Sequence, residues 1–152
     1  CNDINYLLSE LKIKNPIIWG WSFGATVALH YSKNYPVKAT ISGGTYFGKI
    51  FTDEYIEKRI LETTNKIYIA RWKALNNWPV LIPSEIKNTL LVYTGTNDGN
   101  VVVQLRIQQN QIESANHKLV IIENLNHGEL ISDREAIEKN IIPFIYKIAL
   151  AG

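Results

Sequence analysis

Residues 17–24 read IIWGWSFG, and this stretch decides how the chain folds. Its first three residues form an uninterrupted apolar run, which is typical of a parallel strand covered on both faces. A helical pattern begins at residue 25 and continues to about residue 35, so the glycines between the two predict a sharp turn. The stretch therefore predicts a strand, turn, helix unit, which is the building block of a parallel α/β sheet.

The rest of the chain repeats this alternation of strands and helices. The predicted strands lie at residues 17–19, 37–42, 89–94 and 118–122. A helix is predicted at about 102–115, between the last two strands. Alternation of this kind predicts a mostly parallel sheet with right-handed crossovers and flanking helices, in one domain that spans residues 1–152.

Helices are also predicted at both ends of the chain. Near the start, Asp3 is expected to cap a helix with apolar residues at helical spacing. Near the end, Ser132 and Glu135 form the pattern of a capping box, and isoleucines between residues 137 and 148 form an apolar stripe. Pro143 is expected to kink this last helix.

The composition excludes several classes of protein. Hydrophobic residues make up 46% and charged residues 20% of the chain, which is typical of a soluble globular protein and unlike a disordered or membrane-spanning one. The formal net charge is +2 and the lysines are scattered, so no nucleic-acid surface is predicted. No residues have metal-ligand spacing and no glycine-rich loop has a phosphate-binding pattern, so no metal and no cofactor are implied.

The only cysteine is Cys1, and the chain contains no methionine. A single cysteine excludes an internal disulfide framework, which fits a reducing compartment and favours a cytoplasmic location. A chain that opens at Cys1 is expected to be processed or cut from a longer protein. A lipidated N-terminal cysteine is a less favoured alternative, because the helical pattern starts at once without a polar tether.

Residues Gly20 to Gly24 match the pattern G-x-S-x-G between a strand and a helix. Such a turn lifts the serine oxygen clear of the sheet, and side chains at either glycine are expected to collide with backbone. Ser22 also lies at the positive end of the following helix. The alternative is a glycine-rich turn in which Ser22 only caps that helix.

Two further residues follow the last two predicted strands. Asp98 comes after the third strand and His127 after the fourth, so both are expected at the same carboxyl edge of the sheet as Ser22. His127 is then suited to act as general base and acid, and Asp98 to orient its ring and stabilise the imidazolium. The backbone N–H of Phe23 is expected to bind the oxyanion.

These residues and their order resemble the α/β-hydrolase superfamily over nearly the whole chain. Ser22 in GWSFG resembles the family nucleophile, Asp98 in YTGTNDGNV its acid and His127 in ENLNHGEL its base. The aromatic, proline-broken stretch at 46–85 lies where the family inserts a helical cap. The resemblance implies a serine hydrolase, similar to small carboxylesterases, that acts on an acyl substrate through a covalent intermediate.

The chain departs from the family at its start. Relatives have four more strands before the position of Cys1, with a loop that donates a second oxyanion N–H. The resemblance therefore implies an incomplete fold, weak or no activity of this chain alone, and an unpaired apolar strand at 17–19 that invites association. The competing interpretation is a non-catalytic fragment that serves as a binding or assembly module.

Aromatic residues are the candidates for contact with substrate. Trp21 adjoins the nucleophile, and four further residues are candidates for an apolar acyl pocket: Tyr46, Phe47, Trp72 and Trp78. Aromatic residues at helical spacing are also common in ordinary cores, so that interpretation stays open.

The remaining titratable residues have weaker claims. His30 and His117 are assigned no function, and Asp133 is interpreted as helix-start chemistry beside Ser132. Glu123 is close enough to His127 in sequence to be a reserve acid, but Asp98 is preferred.

Overall fold

The computed structural model describes residues 1–151, without the side chains at 75 and 76. Four strands form one parallel sheet in the order β1-β2-β3-β4. They are β1 (Ile17–Trp21), β2 (Ala39–Gly43), β3 (Thr89–Gly95) and β4 (Lys118–Ile122). All four predicted strands are present, and the predicted parallel α/β architecture is confirmed.

Helices precede, connect and follow the strands. They are α1 (Asn2–Glu10), α2 (Phe23–Asn34), α3 (Asp53–Leu61), α4 (Lys66–Asn76), α5 (Gly99–Ser114), α6 (Glu129–Ser132), α7 (Arg134–Asn140) and α8 (Ile142–Leu150). A short 3₁₀ turn, Pro83–Glu85, precedes β3. Within residues 1–151, none of the helices has both the length and the apolar character needed to cross a bilayer.

The core lies on both faces of the sheet and is centred on β3. Since side chains alternate along a strand, Leu90 and Val92 pack on one face while Leu91 and Tyr93 pack on the other. Side chains of α2 and α5 pack on the first face, and side chains of α7 and α8 pack on the second. Burial on both faces explains why β3 reads as a continuous apolar run.

The strand β1 lies at one edge of the sheet and pairs only with β2. Trp19 is 36% exposed, so the expectation that this strand is covered on both faces is wrong for part of its length. The helix α1 has no buried residue, and its Tyr6 and Leu7 are exposed, as is Leu11 at its C-cap. We refer to β1 and α1 together as the β1 flank.

The predicted start of the first helix is wrong by two residues. The helix α1 begins at Asn2 with Cys1 at its N-cap, so Asp3 lies inside the first turn and does not cap. An acidic residue there still interacts favourably with the positive helix end.

The predicted capping box near the C-terminus is also wrong. Ser132 ends α6, and Asp133 caps α7 by accepting a hydrogen bond from the Ala136 N–H at 2.8 Å. Pro143 starts the separate helix α8 and does not kink a continuous one. Proline fits the first turn of a helix because it has no N–H to leave unpaired.

Candidate active site

Ser22 sits in a strained turn between β1 and α2. Its backbone has φ 55° and ψ −124°, which is a costly conformation for a residue with a side chain. The Ser22 N–H donates to the Gly43 carbonyl oxygen at 2.8 Å, which ties the turn to the end of β2. The neighbouring strand end therefore holds the strained serine in place.

The two glycines of the motif differ in what they allow. A Cβ added to Gly20 lies 2.1 Å from the Gly24 carbonyl oxygen, so only glycine fits there. A Cβ added to Gly24 meets nothing within 4 Å. The expectation that a side chain collides at either position is thus confirmed for Gly20 and wrong for Gly24, because the Gly24 Cβ direction faces open space.

The Ser22 hydroxyl does not cap α2. Its side chain forms no capping hydrogen bond, and its Oγ lies 2.9 Å from His127 Nε2. The alternative in which Ser22 is only a helix cap is therefore wrong for this conformation.

Asp98 lies just beyond β3 and is 5% exposed. Its Oδ1 lies 2.7 Å from His127 Nδ1, and its Oδ2 accepts a hydrogen bond from the Thr94 hydroxyl at 2.8 Å. Because a carboxylate only accepts, Nδ1 carries the ring proton, and Nε2 is left to accept from Ser22. The structure thus brings Ser22, His127 and Asp98 into one chain of hydrogen bonds, whereas Glu123 is exposed to solvent.

The loop that carries Asp98 is bonded to the loop that carries His127. The Thr96 N–H donates to the Ile122 carbonyl at 2.9 Å, and the Asn97 N–H to that of Leu125 at 3.0 Å. In return, the Asn124 N–H donates to Thr96 Oγ1 at 2.8 Å. These bonds restrain the separation of Asp98 and His127.

Two residues that the sequence did not link to His127, Trp21 and Gly44, lie against it. Trp21 donates from Nε1 to the His127 carbonyl oxygen at 3.0 Å, and the two rings lie 5.0 Å apart. Gly44 has φ 65°, and a Cβ there comes within 3.0 Å of His127 Cε1. The Gly43-Gly44 pair after a predicted strand was the available sequence signal, since paired glycines often mark a close approach of backbone.

A second buried link lies beneath the turn. Trp19 donates from Nε1 to the Tyr93 hydroxyl at 3.0 Å, which connects β1 to β3. Burial raises the pKa of Tyr93, with the Trp19 hydrogen bond acting in the opposite direction. Tyr93 therefore stays neutral and structural.

The Phe23 N–H lies in the first turn of α2. The Ala25 and Thr26 N–H groups turn back to the Ser22 carbonyl at 3.0 and 3.3 Å. At its position in the first turn, the Phe23 N–H has no acceptor within the helix. It is therefore a backbone donor next to Ser22.

A cavity of about 330 Å³ opens beside Ser22 and His127. Its lining comes from the turn before α2 and from α2, the loop after β2, the segment around α3 and α4, the start of α5 and the loop after β4: Ser22, Phe23, Thr26, His30, Gly44, Thr45, Gly48, Lys49, Ile50, Phe51, Ile56, Arg71, Trp72, Trp78, Pro79, Val101 and His127. This size is in the range of small-molecule sites.

The predicted substrate-contacting residues divide into two groups. Trp72 and Trp78 line the cavity, and Trp21, Tyr46 and Phe47 do not. Phe47 is 3% exposed inside the core, and the Tyr46 hydroxyl donates to the Ile50 carbonyl at 3.2 Å. An aromatic residue in a helical or loop segment serves a core as readily as a pocket, and the sequence does not distinguish the two.

One wall of the cavity is a column of stacked side chains. The Phe23 ring stacks on Trp78 at 5.6 Å with an interplanar angle of 5°, and Trp78 lies 4.7 Å from the His30 ring. The Arg71 guanidinium lies over the Phe23 ring, 5.1 Å from its centroid, and so joins the same column. Burial lowers the pKa of His30, and the charge of Lys33 lowers it further, so this imidazole is neutral at neutral pH.

Comparison with solved structures identifies the fold. A carboxylesterase from the thaumarchaeon Nitrososphaera gargenis matches with a TM-score of 0.80 and 16% identity, covering 99% of this chain and 72% of that one. MenH from S. aureus matches with a TM-score of 0.73 and 20% identity, covering 97% and 74%. An α/β-hydrolase enzyme from a sediment metagenome of the Mar Chica lagoon matches with a TM-score of 0.68 and 15% identity, covering 96% of this chain and 68% of that one.

These likenesses show that the chain has the α/β-hydrolase fold, and the expected fold is confirmed. The matched part spans about 72% and 74% of the first two relatives. No protein-family model matches the chain, and no curated protein matches its sequence significantly. Within the described part of the chain, no group of three or more histidine, cysteine, aspartate or glutamate side chains is placed to hold a metal ion.

Proposed function

We propose that this chain, which has the α/β-hydrolase fold, is a serine hydrolase that cleaves a carboxylic ester or a related acyl bond. The observation that carries the proposal is the hydrogen-bond chain from Ser22 through His127 to buried Asp98, at the mouth of a cavity. Such a chain converts a hydroxyl into a nucleophile at neutral pH. The strained backbone of Ser22 supports the same proposal, because strain of this kind clusters at functional sites.

The residues divide the reaction between them. His127 removes the proton from the Ser22 hydroxyl as its oxygen attacks the substrate carbonyl carbon, and Asp98 stabilises the imidazolium that forms. The Phe23 N–H donates to the oxyanion of the tetrahedral intermediate. His127 then protonates the leaving alcohol, which leaves an acyl group on Ser22.

Water completes the cycle by the same route in reverse. His127 takes a proton from the water molecule that attacks the acyl carbon, and returns it to Ser22 Oγ as the acid leaves. His127 has 42% of its side chain exposed, so water reaches the imidazole. Buried Asp98 holds the ring in one tautomer through both halves of the cycle.

The proposed substrate is a small-molecule acyl compound. Trp72 and Trp78 provide apolar surface for its acyl part, and the segment 46–85, which contains α3 and α4, acts as the cap over the site. Trp21 contributes by positioning His127, through the bond to its carbonyl oxygen.

A fluorophosphonate probe tests the proposal. It reacts with an activated serine, so we expect labelling of the wild-type chain at Ser22 and none of Ser22→Ala. Ser132→Ala is the matched control, because Ser132 is exposed and bonds only to the Gly128 carbonyl. That variant is expected to label like the wild type.

The competing function is a non-catalytic binding or assembly module. If the folded wild-type chain, checked by circular dichroism, takes up no probe, this competing function is favoured and the hydrolase proposal fails. Equal labelling of the wild type and Ser22→Ala has the same consequence, because the reactive serine is then a different one.

A further inference from the structure

The cavity beside Ser22 has an uneven distribution of charge. Arg71 and Lys49 line it, and none of its lining residues is an aspartate or a glutamate. Lys49 is already paired with Asp53, with Nζ and Oδ1 2.5 Å apart. The ion pairs among the described residues do not include Arg71. The lining therefore carries one positive charge that no protein carboxylate compensates.

Arg71 is restrained although it is exposed. Its guanidinium lies over the Phe23 ring, which stacks on Trp78, which in turn contacts His30. A guanidinium that rests on an aromatic ring keeps the N–H groups of its edge free for another partner. Its restraint by the column also lowers the conformational entropy lost when a ligand binds.

The column connects Arg71 to the reacting centre. Phe23, on which Arg71 rests, is the residue after the nucleophile, and its N–H is the proposed oxyanion donor. Apolar side chains fill out the rest of the lining, among them Phe51, Ile56 and Val101. A ligand that spans this cavity from Ser22 to Arg71 thus meets a nucleophile, apolar surface and one cation.

We infer that the substrate is an anionic ester whose apolar acyl chain ends in a carboxylate, and that this carboxylate pairs with Arg71. This inference rests on the proposed function and names its substrate class. One uncompensated cation matches a singly charged anion, and the guanidinium fork matches the two oxygens of a carboxylate. A neutral ester of the same length leaves Arg71 without a partner.

Two matched esters test the inference by turnover. Mono-p-nitrophenyl adipate and p-nitrophenyl hexanoate have the same acyl length and differ in a terminal carboxylate. We expect the wild type to prefer the adipate, and Arg71→Gln to lower the adipate-to-hexanoate ratio of kcat/KM by about 5-fold to 50-fold. Arg71→Lys, which keeps the charge without the fork, is expected to give an intermediate ratio.

Lys73→Gln is the control, because Lys73 lies on the same helix, is exposed and does not line the cavity. It removes one positive charge from α4 and is expected to keep the wild-type ratio. Sodium chloride at about 0.5 M is expected to weaken the adipate preference by screening. A wild-type preference for hexanoate, or equal ratios in Arg71→Gln and Lys73→Gln, overturns the inference.

Binding separates this inference from the proposed function. Calorimetry with Ser22→Ala compares monomethyl adipate with methyl hexanoate, and no turnover is needed. Tighter binding of the adipate that is lost in Ser22→Ala/Arg71→Gln supports the anion site, even when no ester is hydrolysed and the hydrolase proposal fails. Equal binding of the two esters overturns the anion site, whatever the turnover.

Discussion

The interior strand β3 is built differently from the β1 flank. In β3, every residue after Thr89 is buried, whereas in β1 only Gly20 is. Yet Ser22 follows β1, and Asp98 and His127 follow β3 and β4. Ser22 therefore depends on backbone shape at an exposed edge strand, whereas Asp98 follows a buried strand and His127 lies in a loop that is bonded to the loop of Asp98.

The largest effect is expected from Asp98, the proposed acid, which follows the buried strand β3. Asp98→Asn replaces an acceptor with an amide that donates to Nδ1, which favours the wrong tautomer of His127. We expect kcat for p-nitrophenyl hexanoate to fall by roughly 10³-fold to 10⁴-fold. Steady-state kinetics on folded protein measure this.

Glu123→Gln is the matched control for the acid. Glu123 lies in the loop before His127 and is exposed, so we expect less than about a twofold change in kcat. A loss as large as that of Asp98→Asn contradicts the assignment of Asp98 and makes Glu123 the acid.

The next largest effect is expected from buried Leu91, compared with exposed Leu7. Leu91 is 0% exposed at the centre of the sheet, whereas Leu7 on the β1 flank is 57% exposed. We expect Leu91→Ala to lower the free energy of unfolding by about 2–5 kcal/mol, and Leu7→Ala by less than about 0.5 kcal/mol. Urea denaturation measures both. Similar losses for the two variants mean that the β1 flank is covered in solution, and the contrast is then wrong.

The two glycines of the turn test the dependence on backbone shape. Gly20→Ala forces a Cβ against the Gly24 carbonyl, so we expect destabilisation of about 1–3 kcal/mol and loss of labelling by the fluorophosphonate probe. Gly24→Ala meets open space and is expected to keep stability and labelling near those of the wild type. A folded Gly20→Ala variant that labels normally shows that the turn tolerates another shape.

The smallest effect concerns the edge itself. Trp19→Lys places a charge on β1, and charged residues on edge strands oppose pairing between chains. We expect weaker self-association than in the wild type, by less than about tenfold in the dissociation constant. Sedimentation velocity over a range of concentrations measures this.

Tyr93→Phe is the control for the edge variant. It removes the same Trp19 to Tyr93 hydrogen bond and leaves the edge unchanged. It is expected to cost about 1 kcal/mol of stability and to leave self-association as in the wild type. Equal association in all three proteins contradicts association through the edge.

Local pattern predicted the strands of this fold well and the helix ends poorly. The strands β2 to β4 are short segments bounded by turns, and in β2 and β3 burial on both faces disfavours other structures. At the start of α7, Ser132 and Asp133 are both good capping residues, and only the position of α6 decides between them. Tertiary packing fixes the position of α6, so the local sequence does not show which of the two residues caps α7.

The site was predictable where it depends on topology. In a parallel sheet, residues that follow successive strands meet at one edge, and the sequence positions of Ser22, Asp98 and His127 follow that rule. Arg71 and Trp78 join the cavity wall through contacts with Phe23, which is 48 and 55 positions away in the chain. No periodicity links such distant residues, so their place beside Ser22 requires the fold.

The bonds between the loop after β3 and the loop after β4 have a mechanical consequence. Since Thr96 and Asn97 are tied to the backbone of the segment at 122–125, we expect Asp98 and His127 to move together. Relative motion is then expected at the contact between Ser22 and the imidazole of His127, which joins the turn after β1 to the loop after β4. Amide hydrogen exchange is expected to be slower at Asn97 and Asn124 than on α1. Motion at the contact between Ser22 and His127 is then expected to govern how often the Ser22 hydroxyl is hydrogen-bonded to the imidazole.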